Sequence, residues 1–195
     1  CFAIASGSSS DTFTLVTSAD DLVAGDKYVL ASGSSGDVYV LAEQTSNNRD
    51  AADDTVAVSN NQITPTVATT TSASAANVLT LGGTSGAWTF MDPLLNGYLY
   101  AASSSKNYLK TQTTNDANGQ WTIVIDASTH AATITAQGAN THNLLLYNSA
   151  TNTGTLFSAY TSTSTSTALP YLYHRTAITY SGYITAVGAT PTEAL

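Results

Sequence analysis

A chain of 195 residues is long enough to bury the core of one sizeable domain, and 43% of its residues are hydrophobic. Only 9% are charged, and 13 acidic against 5 basic side chains give a formal net charge of −8. The bases are scattered, which argues against binding to nucleic acid, and no apolar run approaches the ~20 residues that span a bilayer.

The first residues include the only cysteine of the chain, Cys1, so no intrachain disulfide can form. A mature bacterial lipoprotein begins with a lipidated cysteine, and Cys1 is a candidate for that modification. The alternative is a chain boundary that happens to fall on a cysteine. Residues 1–11 are partly apolar and β-prone, and we expect them to form an N-terminal arm.

Short runs rich in Val, Ile, Thr and Tyr, bounded by Gly, Asn, Asp and Ser, predict strands along almost the whole chain. At residues 18–28 we expect one helical turn at most, with Ser18 as N-cap and Gly25 as the stop. The predicted strands span 12–17, 27–32, 37–44, 55–60, 63–71, 78–83, 87–92, 98–103, 108–113, 120–126, 131–138, 143–149, 154–160 and 171–175, followed by a hairpin pair over 176–187. The Thr- and Ser-rich tract at 161–168 is an exposed strand or a flexible loop, of a kind that is sometimes O-glycosylated in secreted proteins.

This strand pattern predicts a single all-β domain over residues 12–175, with turn signals every 8–12 residues. The sequence "GAWTF" at 86–90 is echoed by "GQWTI" at 119–123, and similar strand pairs follow each tryptophan. Repeated hairpin units favour a closed barrel or trefoil-like fold, and a β-sandwich is the alternative. Residues 176–195 form a second β-prone flank, predicted as a C-terminal arm or hairpin.

Motifs for catalysis are missing from the sequence. The histidines His130, His142 and His174 have no metal-binding spacing, and surface or capping roles account for them. There is no nucleophile elbow, phosphate-binding loop or dinucleotide fingerprint. We therefore expect a protein that is not an enzyme and has no cofactor.

The densest charge lies in "NNRDAADD" at residues 47–54. Oxygen ligands from Asp50, Asp53 and Asp54 make this segment a candidate calcium site, although the spacing does not match an EF-hand loop. The alternative is a solvated loop in which Arg49 acts as the local counter-charge. We expect the solvated loop, and therefore no metal.

Eleven tyrosines and two tryptophans are the remaining signal. In "YLY", Tyr98 and Tyr100 share one face of a strand and Leu99 takes the other, so one of these faces is core. We expect Leu99 to point inward and Trp121 to anchor the core. Tyr98, Tyr100 and Tyr108 are then candidates to contact a sugar ring or another subunit, whereas aromatics in strands more often fill cores and cross-strand pairs.

Several stretches between residues 12 and 175 resemble a poorly characterised domain of secreted and surface proteins of Gram-negative bacteria. They are "SADDLVAGDKYVLAS", "GYLYAASSSKNYLKTQ", "GQWTIVID" and "LFSAY…LPYLYHR". Such domains accompany adhesins, hydrolases and lipoproteins. The resemblance implies a β-rich accessory or structural module outside the cell, and it supplies no catalytic residues.

The sequence thus predicts a non-enzymatic, extracellular or cell-surface structural subunit that assembles with copies of itself into a filament, pilus-like fibre or layer. The β-prone flanks would add strands to neighbouring copies, because an added strand satisfies the N–H and C=O groups of a sheet edge. The alternative is a carbohydrate-binding or adhesive module of a secreted multidomain protein, with glycans as partners. Neither hypothesis involves nucleic acid or a transmembrane segment.

Overall fold

The computed structural model describes residues 8–151 and 154–181. In these residues the chain is all-β, as predicted, and its strand ladders are antiparallel. The strands are β1 (Ser8–Leu15), β2 (Lys27–Ala31), β3 (Asp37–Val38), β4 (Leu41–Gln44), β5 (Arg49–Ala51), β6 (Val56–Ala57), β7 (Gln62–Ile63), β8 (Leu79–Thr84), β9 (Ala87–Asp92), β10 (Gly97–Ala101), β11 (Leu109–Gln112), β12 (Trp121–Ile125), β13 (Ala132–Ala136), β14 (Leu144–Thr151), β15 (Gly154–Tyr160), β16 (Thr167–Ala168) and β17 (Tyr171–Ser181).

Most of these strands belong to one sheet, in the order β4–β5–β15–β14–β13–β12–β9–β8–β2–β17–β1–β7. The β10–β11 hairpin branches from β9, β16 pairs with β14, and β3 pairs with β6 in a separate small sheet. An isolated antiparallel bridge joins Ala31 of β2 to Val40, just before β4. The ladders describe a branched path rather than a closed barrel.

The predicted helical turn is a 3₁₀ turn at Ala19–Asp21. Its N-cap is Ser18, whose hydroxyl accepts a hydrogen bond from the Asp20 amide at 3.2 Å. Ser18 therefore satisfies one of the backbone donors that a helix start leaves free. The 3₁₀ turn ends at Asp21, because the backbone of Leu22 is already extended, so the stop predicted at Gly25 is wrong. Gly25 lies in the next turn with φ +93, a conformation that suits glycine.

The larger part of the core is a single cluster that includes Trp88, Phe90, Leu99, Trp121 and Phe157. Trp88 and Trp121, the two residues of the sequence echo, are directly opposite each other on β9 and β12. The indole N–H of Trp121 donates to the Leu99 carbonyl at 3.1 Å. The predictions that Leu99 points inward and that Trp121 anchors the core are confirmed, since both are fully buried.

A second, smaller cluster lies on the other face of β2. Tyr28 and Leu30 point into the larger cluster, whereas Val29 and Ala31 point into the smaller one. Strand β2 is therefore buried on both faces, and it separates two parts of the core. The smaller cluster also receives Phe13 from β1, Ile63 from β7 and Tyr173 from β17.

Several predicted elements differ from the structure, and the strand predicted at 55–60 keeps only the short β6. Residues 37–44 are split into β3 and β4, because the β3–β6 ladder ends at Val38, and Tyr39 and Val40 pair instead with Ser32 and Ala31. Residues 63–71 keep only the short β7, consistent with Pro65, which has no N–H to donate to a ladder. Residues 49–51, predicted as part of a solvated loop, form β5 between β4 and β15.

Candidate functional site

The described residues of the two flanks pair with each other in a two-stranded ribbon of β1 and β17. Strand β1 runs antiparallel to β17, from Ser8 opposite Ser181 to Leu15 opposite Tyr173. Strand β2 pairs with β17 only at residues 171–174, so residues 8–12 and 177–181 pair beyond the end of the β2 ladder. The boundaries expected at 11/12 and 175/176 therefore fall inside strands.

A β-bulge interrupts this ribbon. Thr12 is opposite Ala177 and Phe13 is opposite Arg175, which leaves Thr176 as the extra residue on β17. The predicted strand 171–175 and the first strand of the predicted hairpin therefore form one long strand. The second strand of that hairpin, at residues 183–187, lies outside the described residues.

Residues 13–15 of β1 lie between strands β17 and β7. They bond to β17 on one side, and on the other Phe13 is opposite Ile63 and Thr14 is opposite Gln62 of β7. Phe13 is completely buried and Leu15 is 5% exposed, both within the smaller core cluster. Burying two such side chains contributes on the order of 4 kcal/mol to folding, at about 2 kcal/mol each. We call the residues of β7 and β17 that pair with residues 13–15 the β1 seat.

The ribbon carries a charged pair where it leaves the β1 seat. The Arg175 Nη1 and Asp11 Oδ2 atoms are 3.4 Å apart, and the side chains are 32% and 15% exposed respectively. Both residues line a hollow of about 180 Å³, together with Lys27 and the apolar side chains of Val67, Val78 and Leu94 among others. Neither charged residue was predicted to have a role, because nothing local to either signals that β1 and β17 pair.

The histidine His174 lies on β17, opposite Thr14 of β1. Its Nε2 is 2.7 Å from Asp26 Oδ2, and its ring stacks on Tyr28 at a centroid distance of 4.7 Å. The Tyr28 hydroxyl accepts a hydrogen bond from the Val23 amide. These contacts tie β17 to the loop that precedes β2.

The three candidate tyrosines share one face of the β10–β11 hairpin. Tyr98 is opposite Gln112, Tyr100 is opposite Lys110, and the Tyr108 carbonyl accepts from the Ala102 amide at 3.0 Å. This register puts the tyrosines on the face opposite to the buried leucines of the hairpin. Each is partly exposed. The structure thus brings the predicted residues together, beside one cation and one amide.

Arg49 is not the exposed counter-charge that its polar and acidic neighbours in the sequence suggest. It is completely buried, and its Nη2 lies 2.8 Å from Oδ2 of Asp92, which is also completely buried. The guanidinium donates from Nε and Nη2 to the Ala42 carbonyl, at 3.1 and 2.8 Å. The interpretation as a solvated loop is wrong at Arg49 because strand β5 turns this side chain inward. Burial lowers the pKa of Arg49, and Asp92 opposes that effect.

Asp92 is satisfied on both of its oxygens. Oδ2 accepts from Asn77 Nδ2 at 2.8 Å, and Oδ1 accepts from the Leu94 and Leu95 amides at 2.9 and 3.4 Å. A buried ion pair of this kind needs such extra hydrogen bonds to offset the loss of water. The pair therefore joins β5 and β9 inside the core.

The acidic residues proposed as calcium ligands lie in two different settings. Asp50 is on β5 and partly buried, whereas Asp53 and Asp54 follow the strand and are exposed. Partial burial raises the pKa of Asp50, and the negative charges of Glu43 and Asp53 add to that effect. Among the described residues no three His, Cys, Asp or Glu side chains are grouped so that they could hold a metal ion. Cys1, the candidate for lipidation, lies outside the described residues.

The part of the chain that the structure describes has no helix of the length and hydrophobicity needed to cross a membrane.

The chain matches no protein-family model, and no curated protein sequence is significantly similar to it. The function of the chain therefore has to be inferred from the geometry of the ribbon and of the tyrosine face.

Proposed function

We propose that the chain is a non-enzymatic, extracellular or cell-surface structural subunit that polymerises by strand exchange. In the polymer, β1 of one copy occupies the β1 seat of the next copy. Pairing with β17 and β7, which a single copy makes internally, then joins successive copies. The filament, pilus-like fibre or layer grows head to tail, because each copy donates one strand and accepts another.

The observation that carries this proposal is the position of β1. It is hydrogen-bonded on both sides, and it fills the smaller core cluster with Phe13 and Leu15. The larger cluster, around Trp121, contains no residue of β1. An exchanged strand can therefore recover all of its native contacts in a neighbour while most of the core stays intact.

The connection from β1 to β2 supports the same mechanism. In residues 17–26 only Leu22 is buried, and most of the other side chains are exposed. A segment with so few buried contacts can change direction without a large loss of packing energy. Residues 17–26 would therefore act as the hinge when β1 leaves its own copy. The sparse charge of the chain supports an extracellular location and close packing between uncharged, hydroxyl-rich surfaces.

A cysteine pair across the ribbon tests the exchange directly. Ser10 and Thr179 are opposite each other on β1 and β17. In a Cys1→Ser background, the Ser10→Cys/Thr179→Cys variant is assembled, oxidised and then denatured for gel electrophoresis. We expect a ladder of covalent oligomers, since each disulfide joins two copies.

A matched control carries Thr122→Cys and Thr135→Cys, which are opposite each other within the β12–β13 hairpin. This control is expected to run as a monomer after the same treatment. If the ribbon pair also gives only monomers from an assembled sample, strand exchange is excluded. If light scattering finds the native protein monodisperse and monomeric under all conditions, the structural-subunit proposal is excluded.

Truncation provides a second test. Deleting residues 176–195 removes the part of β17 that pairs with residues 8–12 and leaves the residues that pair with β2. We expect the truncated protein to stay folded, by circular dichroism. We expect it to lose assembly in negative-stain microscopy, because an exchanged β1 then keeps ladder partners on β17 only for residues 13–15. Polymers of normal length from this variant would contradict the proposal.

The tyrosine face supports a second candidate function, binding of carbohydrate. Tyr98, Tyr100 and Tyr108 are partly exposed on one face with Lys110 and Gln112, and aromatic rings beside polar donors suit a sugar ring. A glycan array with the wild type, Tyr100→Ala and the buried-face control Leu109→Val tests it. Binding that Tyr100→Ala alone abolishes supports a lectin-like module, and no binding to any glycan contradicts it.

We also propose that the sheet closes in a trefoil-like manner. The support is the bridge between Ala31 and Val40, which joins β2 to the β4 end of the sheet, and the pairing of the two equivalent tryptophans. An experimental structure with continuous ladder bonds between β2 and β4 would confirm closure. An open edge on either strand would refute it.

A further inference from the structure

We propose that the ion pair between Asp11 and Arg175 selects the incoming strand and fixes its register when β1 of a second copy enters the seat. The inference rests on the proposed function, since it concerns the same seat. The partner is a second copy of this chain, and the contact is one carboxylate against an electropositive hollow.

Charge complementarity supports this assignment. Asp11 is the only charged residue in β1, whose sequence is SSSDTFTL. The hollow that receives it is lined by Lys27 and Arg175, two of the five basic residues in the chain. In a protein with a net charge of −8, two cations that line one small hollow form a local binding site for a single carboxylate.

The geometry makes the pair sensitive to register. The ladder partner of Asp11 is Ile178, yet its carboxylate reaches back to Arg175, on the other side of the bulge at Thr176. A slip of two residues keeps the same faces of the strands together, but it moves Asp11 by about 6.6 Å along the ribbon. The charges then separate, so the wrong register loses the pair. The uncharged Ser and Thr residues of the ribbon give no comparable discrimination.

Charge reversal distinguishes a pair within one copy from a pair between copies. Asp11→Arg places a third cation beside Lys27 and Arg175 at every interface, and Arg175→Asp places two carboxylates beside Lys27. Each variant alone is expected to need a protein concentration roughly tenfold higher or more for assembly, because like charges repel. When the two variants are mixed, every interface between unlike variants again joins a cation to a carboxylate. Either the two reversed side chains meet there, or the native Asp11 of one variant meets the native Arg175 of the other.

The inference therefore predicts that neither single variant assembles at the wild-type threshold concentration, whereas an equimolar mixture does. The double variant Asp11→Arg/Arg175→Asp is expected to assemble alone. The matched control is Asp37→Arg, which makes the same charge change at the exposed first residue of β3. This control should assemble near the wild-type threshold. Circular dichroism checks that each variant is folded, and Asp11→Asn with Arg175→Gln replaces any reversed variant that is not.

The neutral variants are expected to assemble less readily than the wild type by a smaller factor. Single variants that assemble like the wild type overturn the inference and leave strand exchange standing. The double variant could also assemble while the equimolar mixture does not. That result would mean that Asp11 and Arg175 pair within one copy, and it would overturn the inference. Failure of the wild type to assemble overturns the proposed function instead, so the two failures are distinguishable.

Discussion

At the scale of single residues, the buried pair of Arg49 and Asp92 has the largest expected effect on stability. Its charges are fully removed from water, and each is held by further hydrogen bonds. Such a pair contributes little relative to a well-packed apolar pair, but removing one partner leaves a buried charge without compensation. The pair therefore makes β5 and β9 depend on each other.

We expect Arg49→Ala to lower the free energy of unfolding by about 3–5 kcal/mol, because Asp92 stays buried without its cation. Urea denaturation followed by tryptophan fluorescence measures the change. Lys106→Ala, at an exposed position, is the control and should change stability by less than about 0.5 kcal/mol. A loss below about 1 kcal/mol for Arg49→Ala would mean that Asp92 finds water or another partner in the folded protein.

The sequence could not reveal this pair. In "AWTFMD", alternation correctly predicts β9 and places Trp88, Phe90 and Asp92 on its inward face. A buried aspartate is unfavourable unless a cation compensates its charge. The cation that does so, Arg49, lies on another strand and is distant in the sequence. Its neighbours in "NNRDAADD" are polar and acidic, so local pattern favoured a solvated loop. Arg49 is buried by contacts between segments that are distant in the sequence, and no local pattern records such contacts.

At the scale of elements, the hairpin turn between β12 and β13 depends on two local devices. Asp126 Oδ1 accepts hydrogen bonds from the amides and hydroxyls of Ser128 and Thr129. These bonds hold the pKa of Asp126 well below its usual range. His130 then adopts φ +62, and its amide bonds to the Asp126 carbonyl at 2.9 Å. A side chain in this left-handed region strains the backbone.

We expect His130→Gly to stabilise the protein by roughly 0.5–1 kcal/mol, because glycine adopts positive φ without that strain. Thermal unfolding measures the change. Ala127→Gly in the same turn, at a residue without positive φ, is the control and should destabilise instead. If both glycines destabilise, contacts of the His130 ring outweigh the backbone strain.

Elements were predicted best where the strand signal is local. Strand β15 has the predicted bounds, and the Ser18 cap starts its turn as expected, because alternation and capping depend on neighbours in the sequence. Ribbon pairing was not predicted. Both flanks were recognised as β-prone, but which strand a flank pairs with depends on packing that no local pattern records. The candidate tyrosines were brought together because they lie on one hairpin.

At the scale of the whole molecule, the structure is divided by β2 into two clusters of unequal size. Strand β17 also crosses this division, since Leu172 points into the larger cluster and Tyr173 into the smaller one. Strands β2 and β17 therefore couple the two clusters, whereas the buried side chains of β1 lie in the smaller cluster alone. In the proposed polymer, β1 would leave its own copy without removing any side chain from the larger cluster.

Buried tyrosines should make the whole domain sensitive to alkali. Burial raises the pKa of Tyr28, Tyr147 and Tyr160, and it raises the pKa of Tyr173 to about 12, with a smaller contribution from Tyr171. The unfolded chain loses these phenol protons near pH 10, whereas the folded chain keeps them. The unfolded state then binds fewer protons, so the free energy of unfolding falls as the pH rises from about 10 to about 12.

Tyr173 is the residue on which to test this effect. It is completely buried, and its hydroxyl donates to the Gly33 carbonyl at 3.1 Å. We expect Tyr173→Phe to cost about 1 kcal/mol at pH 7, through the lost hydrogen bond, and to remove on the order of 2 kcal/mol of the decline above pH 10. Urea denaturation at a series of pH values measures both. Phe90→Leu, at another completely buried position, removes no titrating group and should lower the whole curve without changing its alkaline slope. Parallel curves for Tyr173→Phe and the wild type would show that Tyr173 is not the group that titrates.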